Sequence, residues 1–177
     1  LETLISHGPR FHGSDANRWA GSWLHAEAAR TGFSVTDEPV ALPGWQYDAP
    51  PSLFLQDSDG PSREVPCSPM LWFWHGEDIL GEAQLVGDLG IWGDSVVWRK
   101  AAVVRDGACV AYLHLRNHYG AAPQPLPAGS DLTVPHVVIG RDDADALIAE
   151  LRRGPVEATV SVRVSRPSQS VGQNVVV

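Results

Sequence analysis

The side chains best able to do chemistry in this chain of 177 residues are its seven histidines, because an imidazole can carry a proton near neutral pH or bind a metal. His114 and His118 stand four apart. On a helix that spacing aligns two ligands; on a strand, which the apolar run Val110–Leu115 favours, it places them on one face and no more. His7 and His12 flank a Gly-Pro turn and would join a site only if carboxylates approached from elsewhere. Structural polar contacts are therefore the expectation for each histidine. Serine and cysteine chemistry fares no better. The chain contains no Gly-x-Ser-x-Gly step and no cysteine-nucleophile signature, and Gly81–Gly93 is spaced with glycines without forming Gly-x-Gly-x-x-Gly. No catalytic residue and no metal ligand is expected.

Aromatic residues are the stronger signal. Trp72, Phe73 and Trp74 are consecutive, and Trp92 and Trp98 follow. Neighbours on a strand point to opposite faces, so one small core cannot easily hide them all. Core packing accounts for most. The candidate binding surface is Trp72, Trp74, Trp92 and Trp98, facing a peptide groove or a partner protein. Two further readings stay open: a free-standing peptide- or protein-binding module, and a carbohydrate-binding β-module, which would need coplanar, exposed tryptophans.

Composition limits the setting. The formal charge is −8, and lysine and arginine together number 13 without a basic run, which argues against a nucleic-acid partner. No stretch approaches the roughly 20 apolar residues that span a bilayer, and Leu1 opens no signal-peptide pattern. The missing initiator Met leads us to expect a fragment or a processed form. Fourteen prolines and 17 glycines among short apolar runs favour strands over a helical bundle. Cys67 and Cys109 can bridge only if their Cα atoms come within about 7 Å, which spacing leaves open.

The elements that must position these residues are clearest from Val134 to Val164. Val134, Val137, Val138 and Ile139 read as a buried strand closed by Gly140. Asp142 is placed to cap a helix with Ala144, Leu147, Ile148 and Leu151 on its apolar stripe and Glu150, Arg152 and Arg153 facing away. Gly154-Pro155 stops it. From Val156 the period becomes two, with Val156, Ala158, Val160, Val162 and Val164 facing inward. Near the start, Ser14 or Asp15 caps a second helix whose apolar face is Ala16, Trp19, Ala20, Trp23, Leu24 and Ala28, ending at Gly32-Phe33. PGWQYDAPP (43–51) is then a linker, Ser52–Gln56 a strand, Asp57–Gly60 a turn, Pro69–Trp74 a strand, and Gly120–Asp131 a surface loop.

Val-Pro-x-Val-x-Ile-Gly, then Arg-Asp-Asp, then a Leu-rich half running into Gly-Pro-Val resembles the close of a protease-associated domain. That domain is commonly inserted into di-zinc aminopeptidases of the transferrin-receptor and glutamate-carboxypeptidase group. Gly13-Ser14 before a helix that ends in glycine resembles the opening of the same enzymes, and Gly172–Val176 resembles the strand on which their peptidase domain resumes. The resemblance implies an α+β, mainly β fold, with a protease-associated-type β-sandwich or barrel and two or three helices. It implies residues 1–44 as the start of a peptidase domain, 45–166 as the protease-associated domain, and 167–177 as a connector and the next peptidase strand. It also implies strands over Ser34–Leu42 and Glu82–Val86, and that Ser34–Val40 and Gln173–Val177 pair as adjacent antiparallel strands.

For Asp94–Arg116 the two sources of inference diverge. Local signals read a strand over Val96–Arg105, a turn at Asp106-Gly107 and a strand over Cys109–Leu115; the resemblance implies a helix around Lys100–Ala102, and the helix is the expectation. The family's Gly-Lys-Ile-Val-Leu type of strand has only Gly90–Gly93 in its place. Its zinc ligands begin with a His-x-Asp step and include a Glu-Glu pair, and neither step occurs here. The expected function is thus the non-catalytic protease-associated region of a zinc aminopeptidase-like parent, shaping substrate access or mediating protein contacts. Zinc is implied for the parent and no cofactor for this chain. Implied partners are the remainder of the peptidase domain, a peptide or protein substrate, or a second copy in a homodimer, with no nucleic acid and no membrane span. The parent family is often secreted or extracytoplasmic; no signal peptide is expected in this chain, and its localisation is left open.

Overall fold

A computed structural model describes residues 2–7, 14–42, 46–58, 60–71, 75–90, 97–117, 120–121, 124–125, 133–165 and 170–176. The fold is α+β and mainly β. It divides into two compact units, Leu1–Gln46 with Ser165–Val177, and Tyr47–Val164.

The first unit joins the two ends of the chain. Helix α1 (Glu2–Ile5) precedes helix α2 (Asp15–Arg30). Ser14 caps α2, its Oγ accepting from the Asn17 N–H at 3.1 Å. At the other end Gly32 has φ +90°, and the N–H groups of Gly32 and Phe33 return to the carbonyls of Ala29 and Ala28. Glycine takes that left-handed turn without a Cβ penalty. Strand β1 (Thr36–Leu42) then pairs antiparallel with the last strand, Ser170–Val176, from Thr36↔Val176 to Leu42↔Ser170. The expected pairing of the two end strands is therefore present.

The second unit is built on a nine-stranded sheet. In chain order its strands are β2 (Gln46–Asp57), β3 (Arg63–Glu64), β4 (Cys67–Leu71), β5 (Gly76–Gly90), β6 (Val97–Arg105), β7 (Ala108–Leu115), β8 (Gln124–Pro125), β9 (His136–Ile139) and β10 (Val156–Ser165), which makes the closing strand of the first unit β11. Across the sheet the order is β3-β2-β10-β5-β6-β7-β9-β4-β8. The pairs β7–β9 and β4–β8 are parallel.

Along β10 the alternation is strict: Val156, Ala158, Val160, Val162 and Val164 are buried, as a period of two requires for a strand with one face on the core. Helix α3 (Arg141–Leu151) buries Ala144, Leu147 and Ile148 and packs on β5 and β7. Leu53, Leu55, Met70, Val103, Leu113, Val137 and Ile139 complete this core.

Five expectations need correction, the first being that Gln124–Pro125, inside the expected loop Gly120–Asp131, forms β8 and pairs parallel with Met70–Leu71. Asp106-Gly107 is a hairpin turn with φ +52° and +77°, and Lys100–Ala102 lie in β6, not in a helix. Four valines and a tryptophan suit a strand, and a two-residue turn with both φ values positive matches strand twist; these local signals outweigh the resemblance. Residues 46–51 belong to β2 rather than a linker, since a strand tolerates proline wherever the missing N–H is not needed by the ladder. Gly140, not Asp142, is the N-cap of α3, and Asp142 lies inside the first turn. Glu150 does not simply face solvent: Arg63 Nη2 donates to both of its carboxylate oxygens at 3.0 Å, clipping β3 to α3.

A bulge bends β5 against β10. Asp78 has φ +50°, and the register shifts between Val160 and Val162. Ser161 Oγ holds it, accepting from the Asp78 N–H at 2.8 Å and donating to Asp78 Oδ1 at 3.0 Å. The side chain thus takes over where the ladder is interrupted.

Candidate functional site

In the first unit, α2 lies on β11. Small residues allow it: Ala20 and Gly21 are the buried positions of the helix. The tryptophans on the same helix are half-buried. Trp19 and Trp23 stack with centroids 6.3 Å apart, and the His7 ring lies 3.4 Å from Trp19 at an interplanar angle of 7°. These rings cover each other instead of filling a core.

Beside the helix runs a groove of about 600 Å³ between Asn17, Leu24, Asn174 and Val176. Leu24 is 47% exposed and Val176 45%. A second hollow of about 320 Å³ is lined by Arg18, Asp37, Val171 and Gln173. Between helix and ribbon sits a polar node in which His25 Nδ1 is 3.0 Å from Asp37 Oδ2. The bond to His25, and then one to Gln173, hold the Asp37 carboxyl below its ordinary value. The helix-on-ribbon thus leaves Leu24 and Val176 about half exposed beside the polar His25–Asp37 contact.

In the second unit, the structure brings together two histidines. His114 on β7 and His136 on β9 are both fully buried, with His114 Nε2 2.9 Å from His136 Nδ1 and rings 5.2 Å apart. Tyr112 packs on His136 at 4.8 Å, and the Lys100 ammonium sits 3.4 Å over the Tyr112 ring. Burial above all, then His136 and Lys100, drives the His114 pKa well below its usual value.

His118, the neighbour that sequence spacing offered to His114, lies outside the described residues, as does His12. The partner that sequence reading missed is His136. Its signal was a lone imidazole inside an otherwise apolar strand, whose four residues are all buried. Trp72, Trp74 and Trp92 also lie outside the described residues. Trp98 is placed by its backbone in β6, opposite Leu89 on β5, and its side chain is not described. Cys67 and Cys109 are both free thiols.

The chain matches no family model and no curated protein. Among solved structures it is similar to a peptidase M28 precursor from Shewanella amazonensis SB2B, with a TM-score of 0.67 at 15% identity, over 98% of this chain and 48% of that one. It is also similar to an aminopeptidase from Aneurinibacillus sp. strain AM-1, with a TM-score of 0.59 at 19% identity over 98% and 45%. A zinc aminopeptidase from Bacillus subtilis follows, with a TM-score of 0.58 at 15% identity over 97% and 43%. The chain has the fold of part of these aminopeptidases. It spans less than half of their length.

One of these neighbours is a zinc enzyme. A catalytic zinc takes three protein ligands at about 2.0 to 2.2 Å and leaves a position for water. Among the described residues no three His, Cys, Asp or Glu side chains are grouped to hold a metal ion. His114 Nε2 faces His136 Nδ1, and His25 Nδ1 faces Asp37 Oδ2. The residues described do not fit the metal, and no step is derived through it. No described helix is long and apolar enough to cross a membrane.

Proposed function

We propose that this chain is the non-catalytic, protease-associated part of a zinc aminopeptidase-like protein. In this reading Tyr47–Val164 is the protease-associated domain, which shapes substrate access or meets a protein partner. The first unit is the opening helix and two strands of a peptidase domain. The observation that carries the reading is the antiparallel pairing of β1 with β11, strands from the two ends of the chain, with α2 laid on β11.

Among the described residues the first unit is a two-stranded ribbon with α2 and the short α1, less than an α/β domain uses to cover a sheet. Its apolar residues, Leu24, Val171 and Val176, are about half exposed, and an edge strand presents unpaired donors and acceptors. The remainder of a peptidase domain is the partner that this surface fits. The likeness to aminopeptidases over less than half of their length supports the same reading.

Two measurements test it. Incubated with zinc and an aminoacyl p-nitroanilide, this chain alone gives no turnover above the blank; zinc-dependent turnover overturns the proposal. Light scattering finds self-association through the uncovered ribbon, in the manner of a homodimer, and Leu24→Asp with Val176→Asp abolishes it. A strict monomer at all concentrations removes the argument from the exposed face.

A further inference from the structure

The buried histidine pair takes no part in that reading, yet it occupies the one seam of the sheet where β7 and β9 run side by side in parallel. Tyr112 stands opposite His136, and His114 opposite Val138. The seam is closed at either end by backbone bonds, from the Tyr112 N–H to Pro135 O at 2.9 Å and from the Arg116 N–H to Ile139 O at 3.1 Å. Between these ends lies the contact from His114 Nε2 to His136 Nδ1.

Strand alternation assigns the groups that share this face. From β6 comes Lys100, the register partner of His114. From β7 comes Tyr112, and one residue past its end Arg116. From β4 come Ser68, opposite Val138, and then Met70, neither of which titrates. Cys67 is opposite Ile139 and so belongs to the other face. One strand further out, β5 offers Gly87 opposite Lys100, Gln84 opposite Ala102, and the exposed Glu82 opposite Val104. Helix α3 turns Ala144, Leu147 and Ile148 inward. The charged neighbours along β6 and β7 at this level are thus cationic.

We propose that His114 and His136 form an acid-released latch on the β7–β9 seam, closed by a neutral N–H···N bond and opened when the pair takes up protons. A neutral imidazole pair has the one donor and one acceptor that such a bond needs. A first proton buries a charge beside Lys100, and a second leaves two N–H donors facing each other. Opening the seam lets both rings reach water, where they charge at their ordinary value.

The sign follows from linkage. The His114 pKa is depressed in the folded state, by burial first and then by His136 and Lys100, below the ordinary imidazole value of about 6.5. The neutral pair therefore contributes its full stabilisation above that value and loses it as the pH falls from there toward the depressed pKa. Each proton taken up on opening raises the opening constant about tenfold per pH unit across that window.

Hydrogen exchange of the whole chain from about pH 7.5 to about pH 5, corrected for intrinsic rates, tests the latch across the range where imidazoles titrate. Segments 112–116 and 136–139 should lose protection about tenfold or more per pH unit below about pH 6.5, while α3 and β10 hold theirs. The double variant His114→Gln, His136→Gln should flatten this dependence. Lys100→Met, by removing a cationic neighbour that lowers the closed-state pKa of His114, should make the loss of protection level off at a higher pH. Imidazole proton NMR on the unaltered chain decides the matter if the double variant fails to fold: His114 should remain neutral at about pH 5.5, where a free imidazole is mostly charged. Protection at the seam that does not change with pH, equal loss across the whole unit, or a His114 that titrates like a free imidazole overturns the latch.

Discussion

Gly21 of α2 lies directly against Gln173 of β11: a Cβ added at Gly21 would stand 3.2 Å from Gln173 Cδ and 3.3 Å from its Oε1. The contact brings the helix onto the ribbon, and the same Gln173 side chain bonds Asp37. Its neighbour is the end of a flexible side chain, so one methyl group can be admitted. Gly21→Ala should be neutral or slightly stabilising, because alanine gains up to about 1 kcal/mol in helix propensity over glycine. Gly21→Leu should cost about 1–3 kcal/mol by lifting the helix. Urea titrations of both variants check the difference in sign.

Gly81 meets backbone instead. A Cβ there would fall 2.6 Å from Val104 O and 2.9 Å from Val103 Cγ1, inside the central β5–β6 pair where neither strand can withdraw. Gly81→Ala should destabilise by about 1–3 kcal/mol, as overpacking does. An unchanged denaturation midpoint would contradict this close approach.

Arg63 and Glu150 form the clip between β3 and α3. Their side chains are 35% and 17% exposed, and Asp143 Oδ1 lies 4.0 Å from Arg63 Nη1. A double-mutant cycle with Arg63→Ala and Glu150→Ala should give a coupling of about 1 kcal/mol. The coupling should shrink at high salt, where exposed charges are screened. A salt-independent coupling would mean that packing of the arginine stem holds the clip.

Cys67 and Cys109 should separate in alkylation. Burial, followed by the neighbouring Glu64, pushes the Cys67 thiol up to about 12, so almost no thiolate exists at neutral pH to attack an electrophile. Iodoacetamide should modify Cys67 only after denaturation, as followed by peptide mass spectrometry. Rapid modification of Cys67 in the native chain would show that its pocket opens to solvent.

What could be read from the chain itself was whatever depends on near neighbours. The β10 alternation, the α3 stripe, the Ser14 cap and the Gly32 turn all follow from periods and local backbone needs, and they stand where the sequence places them. So does the Asp106-Gly107 turn, whose local signal was right when the family resemblance pointed to a helix. The closure of β1 on β11 came from resemblance, since nothing local in either strand names a partner at the far end of the chain.

Tertiary structure alone decided the rest. His114 could be weighed only against the imidazole four residues on, because sequence spacing measures distance along one element. The parallel crossing of β7 and β9 brought it to His136, 22 residues away, and buried both rings. Strand pairing is set by hydrogen-bonded register and core burial summed over many residues. A polar pair formed across such a seam therefore leaves no trace in the periodicity of either strand.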